Sequence, residues 1–157
     1  MILYHGTNYD FGEIDLRKSK PNKDFGQGFY LSREYTQAMD MAKTKVEQLE
    51  TGSPTILTYE VDEKEMDQLH VLRFDEYSEE WARFIQLNRN NASIQPAHDF
   101  DIVIGPIAND RVGVQLWKYE TRSIDMPTLL NNLKNMRGIT FQYYFGTESA
   151  IKILKRL

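Results

Sequence analysis

The sequence lacks cysteine, long apolar runs, internal repeats and linkers rich in Pro, Gly or Ser. With Cys 0 in 157 residues, a disulfide framework, a thiolate metal site and a cysteine nucleophile are excluded. His5, His70 and His98 are scattered, with no His/Glu cluster at ligand spacing, so no metal is expected. No segment reaches bilayer length, and the first residues show no basic region or signal-peptide core. These absences predict a cytoplasmic protein without a metal and without membrane contact.

The overall charge is weakly acidic but locally uneven. A net charge of -4 argues against non-specific adhesion to nucleic acid, which needs a basic surface. Two basic runs lie at residues 17–23 and 152–156. One interpretation is that both runs are solvated surface. The alternative is that residues 17–23, beginning at Arg17, form a loop that contacts phosphate and leads into a glycine motif.

The pattern of elements predicts one α+β domain spanning residues 1–157. A hydrophobic share of 41% and a charged share of 27% are typical of a soluble globular domain. Strands are predicted at 2–4, 55–61, 71–74, 100–106 and 139–145. Helices are predicted at 32–49, 78–88, 110–117, 125–136 and 147–154, with a loop at 6–26. Strands and helices are interspersed without regular alternation, which favours α+β over a doubly wound sheet.

Three short motifs carry the candidate chemistry. In Tyr4-His5-Gly6-Thr7 a histidine stands at the end of the first strand and a glycine follows it. Phe25-Gly26-Gln27-Gly28-Phe29-Tyr30-Leu31-Ser32 has two glycines that allow close backbone approach. The third motif, in strand 139–145, puts Gln142 and Tyr144 on one face and Tyr143 on the other. The second motif lacks the third glycine and the preceding strand of a dinucleotide fingerprint, and also the Gly-Lys-Ser/Thr end of a P-loop. Both of those nucleotide sites are therefore excluded.

In order and spacing, the three motifs resemble the ADP-ribosyltransferase superfamily, in its His–Tyr–Glu branch of diphtheria toxin and poly(ADP-ribose) polymerase type. The whole chain also looks like an uncharacterised bacterial domain family placed in that superfamily. Residues 4–7 resemble the first motif, residues 25–31 the second, and Gln142 falls where the glutamate should be. The resemblance implies split antiparallel β-sheets with surrounding helices. It also implies NAD⁺ as co-substrate, no metal, and cleavage of the nicotinamide–ribose bond through an oxocarbenium-like transition state.

The resemblance assigns roles to individual residues. His5 would hydrogen-bond a hydroxyl of the adenosine ribose, the Gly6 backbone would hold the nicotinamide carboxamide, and Tyr30 would stack on the nicotinamide ring. A backbone offers a matched donor and acceptor, and a flat ring favours an aromatic face. Tyr30 also has a purely structural interpretation as a core aromatic. The other residues expected near the cofactor are Thr7, Gly28, Ser32 and Arg17.

The sequence departs from the superfamily pattern at three positions. Gln142 can hydrogen-bond the ribose 2′-hydroxyl but has no charge, which raises the barrier by on the order of a few kcal/mol. Slow transfer, help from another carboxylate and a pseudoenzyme all fit this change. Glu148 is the nearest substitute, or else it complements the dipole of the helix behind Thr147. Ala38 and Met41 stand where the polymerases carry a serine and a second stacking tyrosine, which favours single transfer over polymer synthesis.

The predicted function is mono-ADP-ribosyl transfer from NAD⁺ to a protein or nucleic-acid target. The expected setting is a toxin of a toxin–antitoxin or phage-defence system, restrained by an antitoxin or immunity protein. Two alternatives stay open. One is a module that binds NAD⁺ or ADP-ribose without turnover, which the missing charge at Gln142 favours. The other is an NAD⁺ glycohydrolase, in which water replaces the target.

Overall fold

The computed structural model describes all of residues 1–157 and contains two β-sheets with helices packed around them. The strands are β1 (Ile2–Thr7), β2 (Phe29–Leu31), β3 (Thr55–Glu60), β4 (Val71–Arg73), β5 (Ile102–Pro106), β6 (Phe141–Phe145) and β7 (Lys155–Arg156). The helices are α1 (Tyr35–Leu49), α2 (Glu63–Met66), α3 (Glu79–Arg89), α4 (Asp110–Glu120), α5 (Met126–Lys134) and α6 (Glu148–Lys152). None of these helices has the length and apolar content that crossing a membrane requires.

The two sheets meet at one edge. One sheet has the antiparallel order β1-β3-β7, and the other has the order β2-β6-β5-β4. Pairing in the second sheet is antiparallel except between β4 and β5, which are parallel. An isolated bridge between Tyr4 and Ser32 joins β1 to the residue that follows β2, through backbone hydrogen bonds of 2.7 and 2.8 Å. The predicted α+β class with two split sheets is confirmed, and the parallel pair is the departure from an antiparallel arrangement.

The four-stranded sheet separates two hydrophobic cores. The first core lies between the sheets and contains Leu3, Leu57 and Phe145. The second lies under α3, α4 and α5 and contains Trp81 and Tyr144. Side chains alternate between the faces of a strand, so consecutive β6 residues enter different cores. This confirms the predicted division of the β6 side chains between the two faces.

Helix starts follow local side-chain caps, with one correction. Asn109 caps α4, because the Asn109 side chain accepts the Val112 N–H at 3.0 Å. Helix α1 begins at Tyr35, whereas the sequence predicts a start at Ser32. The Ser32 backbone instead pairs with β1, so this residue is extended, and the helix begins only after it.

The aromatic residues are only partly core. Tyr143, Tyr144 and Phe145 are buried, as predicted. Trp117, predicted to be mostly core with them, is 60% exposed on α4. That helix buries Val112 and Leu116, and Trp117, adjacent to Leu116, is turned away from this stripe by the helical period.

Candidate functional site

The candidate site lies where β1 and β2 diverge beyond the Tyr4–Ser32 bridge. The N–H and C=O of Tyr4 both bond to Ser32. Backbone groups alternate in direction along a strand, so those of Gly6 point to the same side, away from β3. No side chain bonds to them, although Gly6 is buried. Buried backbone groups are normally paired, so this open edge offers one donor and one acceptor to a ligand.

His5 spans the gap between the two strands next to the bridge. Its Nδ1 lies 2.7 Å from the Tyr30 carbonyl oxygen, which accepts only, so Nδ1 carries the proton. The imidazole stacks on Phe29 with ring centroids 4.1 Å apart. Burial, with a smaller contribution from the charges of Lys45 and Lys23, lowers the pKa of His5 from 6.5 to about 4. At neutral pH, His5 therefore has an Nε2 lone pair that can accept a hydrogen bond.

The buried imidazole predicts acid-sensitive folding. The unfolded chain takes up a proton near pH 6.5, whereas folded His5 does so near pH 4. The free energy of unfolding is therefore expected to fall by about 3 kcal/mol through this group as pH drops between those values, and to be unaffected by it above them. Denaturant unfolding of the native chain and of His5→Asn across this range measures the contribution.

The matched control is His70→Asn at an exposed histidine. We expect His5→Asn to reduce the pH dependence, with the half-buried His98 contributing the rest, and His70→Asn to keep that of the native chain. A histidine Cε1-proton NMR titration gives the His5 midpoint directly. A midpoint near 6.5 would contradict the buried, neutral imidazole.

Tyr30 anchors the turn that carries the glycine motif. Its hydroxyl donates to the Gly26 carbonyl oxygen at 2.6 Å and accepts the Phe25 N–H at 3.0 Å. Burial raises the pKa of Tyr30 well above its usual value, so the hydroxyl stays protonated. The Lys23 ammonium lies 5.2 Å from the Tyr30 ring centroid. The ring thus already attracts a cation.

The glycines of both motifs are required by the fold itself. A Cβ at Gly6 would lie 2.0 Å from the carbonyl oxygen of Ala38 on α1. One at Gly28 would lie 2.2 Å from the Tyr144 ring, and Gly26 has a φ of +100°, in the left-handed region. Close packing and turn geometry therefore account for these glycines whether or not a ligand binds.

Gln142 lies near the junction of the two sheets. It pairs with Gly105 on β5, and its side chain shares the sheet face of Tyr144 and Tyr30. The pairing of Leu31 with Tyr143, continued by one residue, places Gln142 beside Ser32, which bridges to β1. The Nε2 of Gln142 is buried and has no hydrogen-bond partner. The third motif therefore approaches the first two at this junction, with an unsatisfied amide.

Some of the predicted residues lie outside this cleft or have structural roles. Glu148 is exposed in the first turn of α6, beyond the opposite end of β6 from Gln142. Arg17 pairs with Asp15 at 3.1 Å, and its side chain is 89% exposed. Thr7 is buried, opposite Thr55 in the first sheet. The cleft thus gathers His5, Gly6 and Tyr30, with Gln142 and Ser32 at its end, whereas Glu148 and Arg17 point to solvent.

The positions compared with the polymerases lie on α1. Ala38 is buried against Gly6, and Met41 is 48% exposed. The Ser32 hydroxyl is already engaged, because it accepts the Glu34 N–H at 3.0 Å. No second aromatic ring is supplied from these α1 positions.

Two lysines that the motifs did not identify individually lie near the site. Lys23 and Lys45 are both half-buried, and neither forms an ion pair or a side-chain hydrogen bond. A signal was present for Lys45, which falls at helical spacing with the buried Ala38 and Ala42 on α1. A lysine at this spacing predicts a charge on the buried face of the helix. The spacing does not predict which groups surround that charge.

The family follows from comparison with known sequences. A family profile described as a protein of unknown function, DUF3990, matches residues 1–156, and the chain belongs to that family. No curated protein matches the chain. No group of three or more His, Asp or Glu side chains is positioned to hold a metal ion. The expected domain family of unknown function is thus confirmed, while its place among the ADP-ribosyltransferases stays a prediction.

Proposed function

We propose that this protein is a mono-ADP-ribosyltransferase that binds NAD⁺ in the cleft between β1 and β2. The observation that carries the proposal is the contact of His5 with the Tyr30 carbonyl beside the open backbone of Gly6. They provide a neutral imidazole acceptor, an unpaired backbone donor and acceptor, and an aromatic ring. These are the three kinds of group that a ribose hydroxyl, a carboxamide and a pyridinium ring require.

The nicotinamide end of NAD⁺ suits the inner part of the cleft. Its carboxamide would accept from the Gly6 N–H and donate to the Gly6 carbonyl. Its ring is positively charged, and the Tyr30 ring attracts the Lys23 ammonium at 5.2 Å in the free protein. A pyridinium stacked on Tyr30 would replace that cation–π contact. His5 Nε2 would then accept from a ribose hydroxyl.

The proposed reaction breaks the bond between nicotinamide nitrogen and ribose C1′. Nicotinamide leaves with the bonding electron pair, and an oxocarbenium-like sugar is attacked by a nucleophile of the target, which releases its proton to solvent. Gln142 would accept a hydrogen bond from the ribose through Oε1 but adds no negative charge. A slow single transfer follows from this arrangement, with a protein or nucleic acid as target.

The second candidate is a module that binds NAD⁺ or ADP-ribose without turnover. The uncharged Gln142 favours it, since Glu148, the nearest carboxylate substitute, is exposed on α6. NAD⁺ hydrolysis is the third, with water as nucleophile. A cytoplasmic toxin held in check by an antitoxin or immunity protein stays a prediction that depends on transferase activity.

The deciding experiment measures nicotinamide release from NAD⁺ with and without cell extract. Native chain, Tyr30→Ala and the matched Tyr30→Phe are compared, because Phe keeps the ring and removes only the hydroxyl bonds to Phe25 and Gly26. We expect extract-dependent release by the native chain, loss of about a hundredfold or more in Tyr30→Ala, and a smaller loss in Tyr30→Phe. Thermal unfolding of both variants tests whether they are folded.

The outcomes separate the three candidates. Release that needs extract supports transfer, and release without extract supports hydrolysis. NAD⁺ binding by calorimetry without any release supports the binding module and rejects an enzyme. Equal loss in Tyr30→Ala and Tyr30→Phe would contradict ring stacking and leave Tyr30 with its structural role.

A further inference from the structure

Two half-buried lysines lie beside the candidate cleft without an ion pair. Lys45 on α1 and Lys23 before β2 have no ion pair or hydrogen bond. Burial lowers the pKa of Lys45, and burial together with the charge of Lys45 lowers the pKa of Lys23. The Lys23 ammonium lies 5.2 Å from the ring of Tyr30, whose carbonyl contacts His5. Lys45 follows Ala38 and Ala42, which pack on Gly6, at helical spacing on α1. Desolvated like charges destabilise a fold unless something compensates them.

The nearby acidic residue forms its ion pair with an arginine and not with either lysine. Asp24 follows Lys23 directly, but its carboxylate accepts from Arg89 at 2.7 Å. Arg89 is also 3.4 Å from Glu120, so the acidic charge is drawn toward α3 and α4. An excess of positive charge therefore remains between residues 17–23 and α1.

The basic run is held against the glycine motif. Gln27 Nε2 donates to the Ser19 carbonyl at 2.6 Å, and the Gly28 N–H donates to the Ser19 hydroxyl at 3.2 Å. Lys18 donates to the Tyr9 hydroxyl at 3.1 Å. These bonds hold residues 18 and 19 against Tyr9 and the glycine motif.

We propose that Lys23 and Lys45 form a binding site for a phosphate or diphosphate anion beside the β1–β2 cleft. Two ammonium groups from different elements can each donate to one anion, and partial burial strengthens such charge-assisted bonds. The anion would take the place of the carboxylate partner that both lysines lack. Its identification as the diphosphate of NAD⁺ rests on the proposed function, whereas the anion site does not.

Inorganic pyrophosphate is the probe. Calorimetric titration of the native chain is compared with Lys23→Gln, Lys45→Gln and, as control, Lys43→Gln at an exposed position of the same helix. We expect each of the first two substitutions to weaken binding roughly tenfold or more, and the control to leave it unchanged within about twofold. No binding by the native chain, or equal weakening by the control, would overturn the site.

Thermal unfolding without ligand gives an independent readout. Lys45→Gln removes an uncompensated half-buried charge, so its melting temperature is expected to rise by about 3 °C. Pyrophosphate should raise the melting temperature of the native chain and not that of the Lys23→Gln/Lys45→Gln double variant. A lower melting temperature for Lys45→Gln would mean that the lysine stabilises the free fold, against the proposal.

Titration with NAD⁺ separates this proposal from the proposed function. Lysine-dependent binding of pyrophosphate without any binding of NAD⁺ keeps the anion site and rejects the transferase. Binding of NAD⁺ that neither lysine substitution weakens keeps the proposed function and overturns the diphosphate assignment. Weakening of both ligands by the same two substitutions supports both.

Discussion

Replacing Gln142 with glutamate is expected to raise the rate of nicotinamide release from NAD⁺ by about a hundredfold or more. Gln142 lies at the junction of the sheets, beside the Ser32 bridge to β1. A carboxylate there would hold the ribose hydroxyl as the amide does and add a negative charge next to the developing oxocarbenium. The charge interacts more strongly with the transition state than with the substrate, so the rate of the chemical step rises.

The matched control for Gln142→Glu is Gln142→Met, which keeps the length of the side chain and removes its hydrogen bonds. Release by this variant should fall below that of the native chain. Both variants are compared in single-turnover assays, with NAD⁺ affinity measured separately. A Gln142→Glu chain that binds NAD⁺ but releases nicotinamide no faster would place the residue away from the reacting sugar and favour the binding module.

Replacing Gly6 with alanine is expected to lower the free energy of unfolding by about 3 kcal/mol or more. The new Cβ would lie 2.0 Å from the Ala38 carbonyl oxygen and 2.8 Å from the Ala42 nitrogen. Both are backbone atoms of α1, so no side-chain rotation relieves the overlap, and the helix must move off β1. Chemical denaturation of native and variant chains measures the loss.

The control is Gly113→Ala in α4, where an added Cβ meets nothing within 4 Å. Alanine favours the helix, so this variant should be more stable by roughly 0.5–1 kcal/mol. An unchanged stability for Gly6→Ala would contradict the packing of α1 on β1. Gly6 would then be required for the ligand alone.

Much of the fold was predictable because helix caps and the spacing of apolar residues depend on neighbouring residues in the sequence. Helix α3 has a Ser78 cap and buries Trp81, Phe84 and Ile85 at helical spacing, as predicted. Strand β6 alternates between two cores, as its sequence indicates. Short elements escaped prediction: α2 is a four-residue helix and β7 a two-residue strand. Segments of that length contain too few residues to establish a period, and β7 forms only by pairing with the distant strand β3.

The candidate site was predictable only in part. The motifs identified His5, Gly6 and Tyr30, which the fold brings to one cleft. They did not identify Lys45, because a lysine within a helix has no motif of its own. Glu148, proposed as a substitute carboxylate, lies exposed at the other end of β6 from Gln142. The two residues are close in sequence but far apart in space, because an extended strand separates its ends by roughly 3.3 Å per residue.

By itself, the sequence determined the α+β class, the positions of the longer elements and the faces that they bury, since periodicity and caps act over a few neighbouring residues. The tertiary structure alone decided that β1 and β2 diverge after one bridge and leave the Gly6 backbone open. It also decided that Lys23 and Lys45 are half-buried beside this opening without an ion pair. Open strand edges and the charges that surround a side chain depend on contacts between residues far apart in the chain, which no local pattern encodes.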